Sequence, residues 1–178
     1  MSCMVGNSLN YNAHERADFV NMKDIINNLI SSSLLQEGVA WKRYQVKAGD
    51  TIIRKGDIGD SLFYLEEGQV RVLGDAELSE TQHISPGLCD LRAGAVFGDV
   101  CLYEPQERTA TVTALTDARL IEINGGMLSV YLDDHPVEGY LFLRALFQAM
   151  VNRLALANDR IGNLLAWGIK AHDIDKYL

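Results

Sequence analysis

The sequence predicts a mainly β domain with flanking helices: a double-Greek-key β-roll of jelly-roll or cupin-like architecture, followed by a long C-terminal dimerisation helix. Three observations carry that reading. From about Trp41 to Ile123, short β-like runs (RYQVK, TIIR, SLFYLE, QVRVL, TATVTAL, ARLIEI) alternate with turn chemistry at Gly49-Asp50, Gly56-Asp57, Gly59-Asp60, Gly68 and Gly74. On either side of that stretch the apolar spacing becomes helical. The 178 residues suffice for one domain with an appendage and leave no room for a second full enzyme domain. The expected organisation is an N-terminal helical segment over 1–40, the roll over 41–124 and C-terminal helices over 125–178.

Between Asn12 and about Ser31, Met22, Ile25, Ile26, Leu29 and Ile30 form the one-sided stripe of a surface helix. Asn12 with Glu15 three positions later supplies a capping box for it. After Gly125 a short helix, MLSVYLDD, precedes Pro136, and a long one runs over about 137–167. Leu143, Phe147, Met150, Leu154, Ala157, Ile161 and Leu164 step by 4, 3, 4, 3, 4, 3 along it, a heptad seam that predicts a second helix as partner. The alternative lays the seam on the flank of the roll. Gly162 inside the pattern marks either a close backbone approach or a kink.

A net charge of -8 repels phosphate backbones and anionic membrane surfaces, so neither a nucleic acid nor a membrane is an expected partner. Three cysteines, Cys3, Cys89 and Cys101, have no zinc spacing and make no disulfide framework. With no basic-then-apolar leader and no apolar run of transmembrane length, the expected location is cytoplasmic. His14, His83, His135 and His172 are scattered, so no metal site is expected. No set of nucleophile, base and orienting group stands out, which argues against an enzyme.

The run FGDVCLYEPQERTATV, Phe97 to Val112, raises a different question. Alternation puts Arg108, Ala110, Val112 and Ala114 on one face, and the small apolar residues mark that face as the inner one. A guanidinium pointing into the roll needs an anion. Two are open to it: the Asp99 carboxylate, or a bound phosphate that the backbone amides of a helical turn after Gly98 would also hold.

Together with AGDTIIRKGDIGDSLFYLEEGQVRVL upstream, this run resembles the cyclic nucleotide-binding domain family over about Gln45 to Ile123. The helix sequence MVNRLALANDRIGNLLAW resembles the dimer helix of that family's catabolite activator protein branch. The resemblance implies cyclic AMP or cyclic GMP as ligand and no other cofactor. Arg108 would hold the cyclic phosphate, Thr109 would add a hydroxyl, Gly98 would permit close approach, and the amides from Val100 through Cys101 to Leu102 would cradle it. Asp99 stands where the family usually carries Glu and would accept from the ribose 2′-hydroxyl. On the long helix Ala157 lacks the hydroxyl that reads adenine, and Asn158 could read a base edge instead. Only Ile169 to Leu178 follow Gly168, so the DNA-binding domain of that branch is not expected, and the output would be a partner protein or the homodimer itself. The alternative is a degenerate fold in which Asp99 pairs with Arg108 and the roll is a dimerisation or docking scaffold without ligand.

Overall fold

The computed structural model of the chain describes residues 21–74, 76–79, 82–84 and 86–171, and the expected capping box at Asn12 and Glu15 lies outside them. The elements are α1 (Met22–Ser31), β1 (Trp41–Val46), β2 (Thr51–Ile53), β3 (Ile58–Gly59), β4 (Ser61–Glu67), β5 (Gln69–Leu73), β6 (Ala76–Ser79), β7 (Gln82–Ile84), β8 (Gly87–Arg92) and β9 (Val96–Phe97). There follow a 3₁₀ turn (Asp99–Cys101), β10 (Gln106–Glu107), β11 (Thr111–Ala114), β12 (Ala118–Asn124), α2 (Gly125–Asp134) and α3 (Pro136–Ala171). Two four-stranded antiparallel sheets, β1-β12-β4-β9 and β2-β11-β5-β8, face each other as the expected roll, with two short ribbons, β10-β3 and β6-β7, beside them.

Within the described residues α1 begins at Met22. Asn21 is extended and caps the helix, its side-chain oxygen accepting from the Lys23 amide at 3.2 Å. The apolar stripe is as read, with Ile25, Ile26 and Leu29 buried.

The core has two compartments, and β4 divides them. Leu62 and Tyr64 face the helices, where they meet Ile26, Leu29, Leu128, Phe142 and Leu146. Phe63 and Leu65 face between the sheets with Ile53, Val70, Leu91, Phe97 and Val112. A strand covered on both faces has no polar side, which is why SLFYL reads as an unbroken apolar run.

Pro136 opens α3 at the first helical position, where its missing N–H costs nothing. Its 36 residues make it about 54 Å long. Its buried residues, Gly139, Phe142 and Leu146, all lie in the first turns. At Gly139 an added Cβ would sit 2.7 Å from the Leu132 carbonyl oxygen, so glycine lets α3 press against the end of α2. The seam residues Leu143, Phe147, Met150, Leu154, Ile161 and Leu164 are all exposed. The alternative that lays the seam on the roll is therefore overturned, because the roll-facing stripe is a different one. Helix continues through Gly162, where an added Cβ would meet nothing within 4 Å, so neither a kink nor packing within the described part of the chain explains that glycine. No helix among the described residues is long and apolar enough to cross a membrane.

Phe142 is fully buried where α3 meets α1, α2 and β4. Phe142→Ala is expected to cost about 3–5 kcal/mol in urea unfolding, the usual penalty for emptying an aromatic core site. A loss under about 1 kcal/mol would place α3 off the core.

Candidate functional site

Arg108 precedes β11 rather than lying in it, so the strand ladder does not hold it. Its backbone is clamped to the turn before β3 instead: its amide donates to the Asp57 carbonyl at 2.8 Å, and its carbonyl accepts from Gly56 at 2.9 Å. The inner facing read from alternation holds, since Arg108, Val112 and Ala114 are buried and Thr109 is exposed. The guanidinium, with Arg108 only 7% exposed, donates from Nη2 to the Ser61 carbonyl at 2.7 Å and from Nη1 to the Gly98 carbonyl at 3.2 Å. It lies 5.6 Å from the ring centroid of Phe63, which stacks on Phe97 at 5.3 Å. Glycine makes room for it: a Cβ on residue 59 would fall 2.2 Å from Nε.

No carboxylate among the described residues pairs with Arg108. The expected alternative, an Asp99–Arg108 ion pair, is therefore not what the chain builds. Asp99 faces α3, with its Oδ1 3.5 Å from Nη1 of Arg153, whose Nη2 also donates to the Val96 carbonyl. Arg108 thus keeps a buried, uncompensated charge, which costs several kcal/mol unless an anion joins it.

The 3₁₀ turn follows Gly98, whose φ of 71° is left-handed and so favours glycine. Cys101 N–H donates to the Gly98 carbonyl at 3.3 Å and Leu102 N–H to that of Asp99 at 3.2 Å. Those two amides close the turn, while those of Asp99 and Val100, at its start, have no carbonyl within it to bond. Of the expected Val100-to-Leu102 amides, two are thus engaged within the turn, and the Cys101 and Leu102 side chains are buried.

Gly98, Asp99, Val100, Arg108 and Thr109 do converge, on a pocket of about 170 Å³ whose apolar wall includes Ile53, Val72, Leu91 and Val112. Asn158 is not among its lining residues and lies exposed on α3. Beyond that apolar wall, the lining also includes Cys89 and Arg153, which were not among the expected site residues. Burial pushes the Cys89 thiol up from its ordinary value against the opposing pull of Arg153 and Arg160, so it stays a neutral wall group at pH 7. Arg153 was invisible because a single arginine beside a heptad seam reads as solvated surface. Only the fold brings it to Asp99.

The sequence model described as the cyclic nucleotide-binding domain matches residues 43–135, more than half of the chain. The chain belongs to the cyclic nucleotide-binding domain family. It is 33% identical over 116 residues to the mouse potassium/sodium hyperpolarization-activated cyclic nucleotide-gated channel 2, a match covering 64% of this chain and 11% of that protein. It is 30% identical over 103 residues to the cGMP-dependent protein kinase egl-4 of Caenorhabditis elegans, covering 58% of this chain and 12% of the kinase. The chain thus spans about a tenth of the length of these curated relatives. Two solved structures share the fold. The cyclic nucleotide-binding domain from Methylobacillus flagellatus has a TM-score of 0.60 at 23% identity, over 68% of this chain and 66% of that one. The Thermus thermophilus catabolite activator protein has a TM-score of 0.53 at 23% identity, over 74% and 63%. The pocket floored by Arg108 lies in the β-roll of this family's fold.

Proposed function

We propose that the chain is a sensor module that binds cyclic AMP or cyclic GMP in this pocket and acts through a homodimer or a partner protein. The observation that carries the reading is Arg108, buried, held by two carbonyls and lacking a carboxylate. A cyclic phosphate supplies the missing charge, with the Thr109 hydroxyl and the Asp99 and Val100 amides beside it. Asp99 accepts from the ribose, and Arg153 holds its carboxylate. Cys89 and the apolar wall take the base. Asn158 adjoins the exposed seam, so a base contact from it is made across a dimer. The free thiols of Cys89 and Cys101 support a reducing, cytoplasmic setting.

Titration calorimetry with cyclic AMP, cyclic GMP and linear 5′-AMP tests the reading. Saturable heat from a cyclic nucleotide, and much less from the linear one, is expected; no heat with either cyclic ligand at millimolar concentration overturns it. Gly59→Ala probes the floor of the pocket. Its Cβ would meet the flexible end of Arg108, so the guanidinium moves and the fold survives. Cyclic-nucleotide affinity should fall about tenfold or more, the loss of one charge-assisted hydrogen bond, with a small change in melting temperature. Unchanged affinity would show that Arg108 does not set it.

A further inference from the structure

A second cavity, a groove of about 460 Å³, opens between the α1–β1 connection and α2. Buried Leu35 and Tyr131 line it, while Leu34 and Val130 stand 62% and 63% exposed at the same groove. Asp134 is the one carboxylate among its lining residues, which also include His135. Asp133 precedes Asp134, and Glu138 takes the Tyr131 hydroxyl at 2.6 Å. The two aspartates end α2, whose last turn has no basic residue. Carboxylates at the negative end of a helix dipole destabilise it, and among the described residues no lysine or arginine pairs with either one.

We propose that this groove is the docking site for an amphipathic helix of a partner protein. Two or three of the helix's apolar side chains, spaced three or four residues apart, seat against Leu34, Met127 and Val130. A lysine or arginine at its end meets Asp133 and Asp134. Charge selects this occupant. A basic helix end complements Asp133 and Asp134, whereas residues 1–20 of the chain itself hold a single arginine, Arg16, against Glu15 and Asp18. The partner's role as output rests on the sensor reading above, but the chemistry of the groove does not.

The experiment pans a displayed library of random peptides, roughly 16 residues or about four helical turns long, on the full chain and removes every binder that also holds Val130→Asp. Val130 is exposed, so that variant should melt at the wild-type temperature. Recovered peptides are expected to carry large apolar residues at helical spacing with lysine or arginine at one end. A synthetic representative should bind Val130→Asp, and the double variant Asp133→Asn/Asp134→Asn, at least about tenfold more weakly than wild type. Recovery of no Val130-dependent peptide, or only of peptides without positive charge, overturns the proposal. Nucleotide calorimetry is a separate readout, so failure of the groove and failure of the sensor are told apart.

Discussion

Arg108→Ala is expected to lower cyclic-nucleotide affinity by about a hundredfold or more while the protein still folds. Losing a buried charge-assisted contact to phosphate is worth roughly 2–5 kcal/mol, and a hundredfold is about 2.8 kcal/mol. The effect on the free protein has opposing parts. The Ser61 and Gly98 carbonyls lose their donor, at about 1–3 kcal/mol each when no water replaces it. Against that, a buried charge with no counter-ion disappears. The two largely offset, so the melting temperature without ligand should move by a few degrees only. The expected signature is a variant that folds cooperatively and no longer gains stability from nucleotide. Arg108→Lys keeps the charge but not the planar fork and should bind between the two, which keeps the test readable should the alanine variant fail to fold. Alanine binding within about threefold of wild type would end the phosphate-anchor role.

The sequence carried the roll because its turns and strands obey local rules. Glycine–acid pairs mark chain reversals, and the apolar runs between them are too short for helices. It did not carry β6, β7 and most of β8, which lie in a polar stretch interrupted by Pro86 and Gly87 and are recognisable only through pairing with each other and with β5. Arg108 was legible as an inward charge because a guanidinium among small apolar residues is a local contradiction. The partner of Asp99 was not. Asp99 is nine positions away in sequence and Arg153 is fifty-four positions beyond Asp99, yet the longer link is the one the fold makes. Long-range ion pairs leave no periodicity. That link also joins the pocket to α3 physically, so on the proposed function a ligand held at Asp99 is expected to bias the position of the helix. Such a bias requires contacts that differ between the two positions.

Leu154→Glu combined with Phe147→Glu is expected to turn a dimeric protein into a monomer. In the single chain Phe147, Leu154, Ile161 and Leu164 are 68%, 62%, 55% and 67% exposed along one stripe, more contiguous apolar surface than a solitary helix leaves open. Burying each such side chain against a second copy contributes roughly 1.5–3 kcal/mol, and two-fold symmetry counts every substitution twice. The double variant therefore forfeits at least about 6 kcal/mol of association, before the cost of placing like charges across the seam, and the dissociation constant rises by more than about ten-thousandfold. Sedimentation equilibrium should give the mass of two chains for wild type at micromolar concentration and of one chain for the variant. Leu156→Glu is the control. Leu156 is 59% exposed on the same helix, but at about 100° per residue it points roughly 160° away from Leu154, so it should leave the dimer intact. If both variants dissociate the protein, helix surface in general and not the heptad seam holds the copies together. If wild type already sediments as one chain, the seam has some other occupant.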